Sequence, residues 1–292
     1  MRGFGNPTEI GVAHYLMMSI EEIGDGTAAL PHTVGHFAGR PATLDADGRL
    51  GTGLLVANID SIGGMTSGLA ALPDWIVTTN LTVRRASSAL TGPNGTGPLV
   101  FDTQVLRRGR SSVVTRVEVT NISGHGVASS WMTCAILTPE DGPPPFIRPI
   151  PRLERAEPTE PIYANSPSQF FNLTAGEQPG VISLEVEQRL RNPWGILHGG
   201  SSSVALDTAA RSLIAGRPTV DDTPGIIVTD LAMHFLSPGR VGPVVAVATS
   251  NGKRGNEHLV RVEVRDLGAD NRLMVLGMAT VRSLEEEKST AR

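Results

Sequence analysis

The stretch RNPWGILHGGSSSVALD, Arg191 to Asp207, changes character part-way along. Its first half holds turn-forming residues. From Gly199 to Gly216 the chain is rich in Ala, Ser and Leu, with Val204, Leu206 and Ala210 spaced for one buried helical face. Gly199 and Gly200 sit where loop becomes helix. There the backbone can approach a ligand closely, and amide hydrogens without intrahelical partners point outward. The helix dipole adds partial positive charge at the same end, an arrangement suited to an oxyanion growing on a carbonyl oxygen.

Downstream lie four Val-rich segments, 225–236, 242–251, 258–266 and 272–283, separated by the turn signals SPGRVG, SNGKRGN and LGADN. The same order occurs earlier. A helix over 51–68 precedes strands at 75–86, 98–107, 111–121 and 126–138, with turns at TGPNGTG, RRGR and SGHG. One further strand precedes each helix, near 18–30 and 168–188. An antiparallel sheet with helices on one face is an α+β architecture.

The two halves also match in letters. LGTGLLVANID (50–60) lies over LHGGSSSVALD (197–207) and DADG (45–48) over NPWG (192–195), both at an offset of 147. IVTTNLTVRRASS (76–88) lies over IIVTDLAMHFLSP (226–238) at 150, RVEV recurs at 145, and WMTCAI (131–136) faces GMATVR (277–282) at 146. Five matches in one order indicate an internal duplication, the more so because the offsets approximate half of the 292 residues. Between the halves, nine of the chain's 21 prolines fall between 139 and 168. Proline fixes φ and lacks a donor, so PEDGPPPFIRPIPRLERAEPTEP reads as an extended linker over 141–165.

With Asn192, five residues, His198-Gly199-Gly200, six residues and Asp207, followed by TDLAMHFLSPG, the C-terminal half resembles the hotdog-fold thioesterases of the phenylacetate-degradation type. The resemblance is strong over 180–285; over 16–138 it rests on the repeat. It implies a double hotdog. A first unit spans 1–140 and has a degenerate motif; a second spans 166–285 and has the full one; 286–292 form a charged tail. Each unit would be a five- or six-stranded antiparallel sheet wrapped around one long helix. The implied activity is acyl-CoA hydrolysis with no cofactor, coenzyme A entering only as part of the substrate.

Helix geometry then constrains the site. Asp207 lies eight residues beyond Gly199, roughly 12 Å along the axis. A carboxylate acting on a bound carbonyl must come within about 3–3.5 Å of its target. The carboxylate therefore has to come from the other helix. The family's implied site at the interface of two units agrees. The repeat names the residue: Asp207 less 147 is Asp60. Asp60 is expected to face Asn192, His198 and Gly199, as base or as nucleophile. Asn192 would orient water or thioester, and His198 would line the pocket or bond the loop. The mirror site would join Asp207 to Asp45, Gly51 and Thr52, without the histidine.

Around this core, Gly200 joins the expected substrate contacts. Asn80, Thr79, Thr229 and Asp230 are candidates for supporting hydrogen bonds. Relatives often carry a Ser or Thr two positions before the strand Asp; that position here is Val228. The phosphates of coenzyme A call for cations, and Arg84, Arg85, Arg107, Arg108, Arg110, Lys253 and Arg254 are candidates, against the plain alternative of solvated turns. His32 and His36 lack a metalloprotease glutamate between them, and Pro31 and Gly35 place them in a loop; no metal is expected. Cys134, the single cysteine, excludes an internal disulfide and is expected as a small buried hydrophobe.

Composition narrows the alternatives. A net charge of −4 gives no pull toward nucleic acid, and 4% aromatic residues are too few for base stacking. No apolar run reaches membrane-span length and the N-terminus lacks a signal-peptide pattern, so a cytoplasmic protein is expected. Exposed sheet edges and family habit suggest a homo-oligomer, a dimer or trimer of double hotdogs. The other readings are a non-catalytic acyl-CoA binding protein and a hotdog hydratase or dehydratase.

Overall fold

In the computed structural model, residues 11–284 are described apart from 17, 46–47, 87–97, 139–147, 153–160 and 193. The first half runs α1 (Val12–Leu16), β1 (Met18–Glu22), β2 (His32–Phe37), the long helix α2 (Thr52–Ala71), then β3 (Trp75–Arg85), β4 (Leu99–Arg108), β5 (Ser112–Asn121) and β6 (Gly126–Leu137). The second half runs α3 (Pro167–Phe170), β7 (Thr174–Ala175), β8 (Val181–Leu184), the long helix α4 (Gly199–Ala215), then β9 (Ile226–Phe235), β10 (Val244–Arg254), β11 (Glu257–Asp266) and β12 (Arg272–Ser283).

Among the described residues the strands form one twelve-stranded antiparallel sheet, ordered β1-β2-β4-β5-β6-β3-β9-β12-β11-β10-β8-β7. The halves meet at β3 and β9, paired from Asn80–His234 to Arg84–Asp230. Strand alternation turns one set of side chains inward, as with Leu99, Phe101 and Val105 of β4 and Val113, Val117 and Val119 of β5. Both long helices pack on that face and on each other, giving one continuous apolar core. This is the double hotdog.

The helices cross where small residues permit it. A Cβ on Gly53 would fall 2.8 Å from Val204 Cα, and one on Gly200 would fall 2.6 Å from Ala57 Cβ. The Ser203 hydroxyl donates to Gly53 O at 2.8 Å across this contact. α4 then stops at Gly216, whose φ of +65° is the left-handed conformation that closes helices.

The duplication is visible in the backbone. A short 3₁₀ turn, Pro41–Thr43 or Gln188–Leu190, precedes each helix. A pinched loop follows, closed by Leu44–Leu50 in one half and Arg191–Leu197 in the other. Each loop turns on a glycine of positive φ, Gly48 at +74° and Gly195 at +72°. The strands after the helices carry matching bulges, between Thr78 and Asn80 in β3 and opposite Thr280 and Val281 in β9.

Two sequence expectations change. His32 and His36 stand in strand β2, not in a loop, because Thr33, Gly35 and Phe37 alternate inward and the glycine admits Ile62 Cδ1. The single strand expected near 18–30 is β1 alone, with β2 following it; the one near 168–188 is α3 and two short strands. The TGPNGTG turn, most of the proline-rich join and the tail lie outside the described residues. The described end of the join is held on β1, where Arg148 Nε bonds Glu22 Oε1 at 2.8 Å and Glu22 N donates to Ile150 O at 2.8 Å. Among the described residues no helix is long and apolar enough to cross a membrane.

Candidate active site

His198 is the N-cap of α4. Its backbone is extended, with ψ at 136°, and its Nδ1 accepts the Gly200 amide at 2.9 Å. That fixes the protonated ring nitrogen as Nε2 in the neutral imidazole. It also leaves the Gly199 amide as the open donor of the first turn, since the first amides of a helix have no intrahelical acceptor. The preceding loop is organised by Asn192, whose Oδ1 accepts the amides of Trp194 at 3.0 Å and Ile196 at 3.3 Å. The Asn192 oxygen is thus turned into the loop, and the residue acts on the site by shaping the approach to His198.

Opposite Gly199 stands Asp60, from the middle of α2. A methyl group added at Gly199 would lie 2.5 Å from Asp60 Oδ2 and 3.4 Å from Phe235 Cε1. A carboxylate of one repeat therefore abuts the helix start of the other, at a distance only glycine allows. Asp60 is 9% exposed. Its Oδ1 accepts the Thr78 hydroxyl at 2.8 Å, while Oδ2 faces Gly199. Burial pushes Asp60 above the usual carboxylate range, with His198 and the Thr78 hydrogen bond pulling it partly back. Burial likewise holds His198 below the usual imidazole range, against the charge of Asp60. The pair thus combines a carboxylate of enhanced basicity with a neutral imidazole. Behind Thr78, Cys134 is fully buried, its thiol pushed up to about 12 by burial, so it is a packing residue and not a nucleophile.

The mirror arrangement joins Asp207 to the start of α2. Here a Cβ at Gly51 would lie 3.9 Å from Asp207 Oδ2, an ordinary contact. Charged side chains fill much of the space. Arg211 Nε meets Asp207 Oδ2 at 3.1 Å, and its Nη1 donates to Thr223 Oγ1 at 2.8 Å. Arg85 Nη1 donates to Leu50 O at 2.9 Å and Thr52 Oγ1 at 3.0 Å. Burial lowers the Arg85 pKa to about 10, and the Asp207 and Asp45 carboxylates oppose that shift. Asp45, Gly51, Thr52, Arg85, Asp207 and Arg211 line a remaining cavity of about 30 Å³, enough for water but for little else. Where Asp60 has Thr78, Asp207 has Val228, whose carbonyl accepts the Thr52 hydroxyl at 2.6 Å.

Residues 195–270 match the family model described as the thioesterase superfamily. This segment, about a quarter of the chain, is similar to the thioesterase superfamily. Three solved structures share the fold along nearly the whole chain. The TesB protein of Mycobacterium avium subspecies paratuberculosis is 12% identical with a TM-score of 0.58, covering 88% of this chain and 94% of its own. A hot dog fold protein of unknown function from Alicyclobacillus acidocaldarius is 14% identical with a TM-score of 0.57, covering 92% and 97%. Acyl-CoA thioesterase II of Mycobacterium marinum is 14% identical with a TM-score of 0.55, covering 94% and 98%. At these identities the likeness establishes the fold. Nothing matches among curated protein sequences.

The matched segment begins three residues before His198 and takes in the α4 half of the site; Asp60 and Thr78 come from the other repeat. Of the remaining expected residues, Gly200 lies under Ala57 at the helix crossing. Asn80 projects from the exposed sheet face, where its Oδ1 meets His234 Nδ1 at 2.6 Å. Thr79 is the bulge residue beside Thr78, its hydroxyl donating to Thr133 O at 2.9 Å. Thr229 is the bulge residue of β9 and donates to Asp230 Oδ2 at 3.0 Å. Arg84 is exposed and pairs with Asp230 at 3.6 Å, whereas Arg85 turns inward to the mirror site. Lys253 and Arg254 lie at the hairpin whose register runs through His258 and Val281 to Val228, the mirror-site end of the sheet. Arg107 and Arg108 lie level with Cys134 and Thr78 but three strands from β3. Thr78 escaped the sequence reading, although the repeat pointed to it: Val228 less 150 is Thr78.

Proposed function

We propose that the chain is an acyl-CoA thioesterase, releasing a free acid and coenzyme A. One observation carries this reading. The buried Asp60 carboxylate of the first repeat abuts the amide end of α4 in the second, where Gly199 alone leaves room between them.

The chemistry follows from the parts. The thioester carbonyl oxygen accepts the Gly199 amide, and the α4 dipole favours the negative charge that grows there. Asp60 Oδ2 then takes a proton from a water attacking the carbonyl carbon, or attacks it directly to give an anhydride that water opens. Either route expels the coenzyme A thiolate, which is protonated on leaving. Thr78 holds the spare carboxylate oxygen, so Oδ2 is aimed rather than free to rotate. The raised basicity of Asp60 suits proton abstraction from water better than an ordinary carboxylate does. His198, neutral, fixes the helix start through the Gly200 amide and leaves Gly199 to the substrate. The mirror site has its carboxylate engaged by Arg211 and lacks the strand hydroxyl, so one site per chain turns over.

Free-thiol release from acyl-CoA by Asp60→Asn tests the assignment. The expected loss is about 10²–10⁴-fold, the usual contribution of a general base. Full hydrolysis by Asp60→Asn, with loss in Asp207→Asn, would transfer the activity to the other site.

A further inference from the structure

α2 contains four glycines, a costly number for a helix, and three have a packing reason. Side chains at Gly53, Gly63 or Gly68 would meet Asp207, Met132 or Trp75 at under 3.0 Å. Gly64 is different. It is half-buried, and a Cβ there would find only Ile76 Cδ1, at 3.8 Å. Among the described residues no other atom outside its own stretch of helix comes within 4 Å of that position.

That position neighbours the site. Gly64 lies one turn past Asp60 on the same side of α2, since residues four apart stack on one face. Asp60 Oδ2, nine-tenths buried and without a hydrogen bond among the described residues, faces Gly199. One turn further on stand two aromatic rings. The indole of Trp75 lies in the notch of Gly68, with Cζ3 2.6 Å from where a Cβ would stand. Trp194, from the loop before His198, meets it edge-on, with ring centroids 5.7 Å apart at 65°. Each repeat contributes one ring to this pair.

The chain supplies its own comparison. At the repeat offset of 147, the counterpart of Gly64 is Arg211. In the mirror site that position carries a guanidinium bound to Asp207, Thr223 and Asp222, which occupies the equivalent space.

We propose that the acyl group of the substrate lies over Gly64, end-stopped by the Trp75–Trp194 pair, while Arg211 closes the equivalent slot of the mirror site. This rests on the thioesterase reading and adds the substrate class. Gly64 and Gly68 stand about 6 and 12 Å past Asp60 along the helix. An extended chain advances about 1.2 Å per bond, so Gly64 lies about five bonds along, and the ring that fills the Gly68 notch stops the chain well short of ten. Its substrates are thioesters of straight acyl chains of about eight carbons or fewer.

The test is thiol release by the full chain from straight-chain acyl-CoA esters, acetyl to palmitoyl. The expected kcat/KM peaks at or below octanoyl and falls about tenfold or more by dodecanoyl. Gly64→Leu should depress octanoyl relative to acetyl by about tenfold, and Trp194→Ala should raise dodecanoyl relative to octanoyl by about as much. Palmitoyl cleaved as well as octanoyl, or chain-length profiles in both variants parallel to the parent, would overturn the slot. Asp60→Asn on the best ester keeps the two readings apart. If it remains active, the catalytic assignment fails; if it is inactive while the length profile is flat, only the slot fails.

Discussion

Replacing Gly199 with alanine adds one methyl group at the point where the repeats meet. The backbone tolerates it, because Gly199 is not among the residues of positive φ. The methyl would stand 2.5 Å from Asp60 Oδ2 and 3.2 Å from its Cγ, whereas ordinary contact begins at 3.4 Å. To restore contact the carboxylate must retreat by about 1 Å, and a displacement of that size at a reacting group costs about 10²-fold. The helix itself gains from alanine by at most about 1 kcal/mol, which offsets part of the strain. Gly199→Ala should therefore lose about 10²-fold in kcat/KM with a folded, cooperative melting transition close to the parent's. Gly51→Ala is the matched control: its methyl would sit 3.9 Å from Asp207 Oδ2 and should leave thiol release near the parent rate. Steady-state thiol release and thermal melting on both variants suffice. Equal activity in parent and Gly199→Ala, or equal losses in both variants, would refute the assignment of the reacting carbonyl to the Gly199–Asp60 junction.

Two further outcomes are expected. Thr78→Val removes the hydrogen bond that lowers the Asp60 pKa, so the acid limb of the kcat/KM profile, already above the ordinary carboxylate range of about 4, should move to higher pH; an unmoved limb would detach Asp60 from the rate-controlling ionisation. Asp207→Asn strips Arg211 of its carboxylate partner while Thr223 and Asp222 remain, so denaturant unfolding should report a loss of about 1.5–3 kcal/mol with thiol release retained.

The sequence made the pairing of Asp60 with Gly199 accessible because two facts met. The helix rise forbids Asp207 from reaching its own helix start, and the repeat offset names its counterpart. Strand and helix limits were legible where apolar alternation is strong, as in β4, β5 and β11. They were not legible at His32–Phe37, where proline and glycine suggest a loop while the strand is held by inward Thr33 and Phe37. The β3–β9 junction was hidden for another reason: its outward residues, Asn80, Thr82, Ala232 and His234, are too mixed in character to mark a buried seam. Thr78 and Arg211 were missed although the repeat carried both. Each becomes visible only when the offset is applied to a departure from the motif, Val228 in one case and Gly64 in the other. Arg85 reads as a surface cation in sequence; that it turns inward depends on the odd-numbered phase of β3 beyond the bulge, which no local pattern sets.

The position of the site within the sheet has a mechanical consequence. Thr78 belongs to β3, one of the two strands at the centre of the sheet, and the free edges among the described residues are five and six strands away. Opening free energies in a sheet are lowest at its margins and approach the global value at its middle. Edge strands can therefore fray, or pair with another chain, without disturbing the register that aims Asp60. Hydrogen exchange should therefore reach the amides of the seam between the two halves last. Precision at the reacting carboxylate is thereby insulated from whatever happens along the rim.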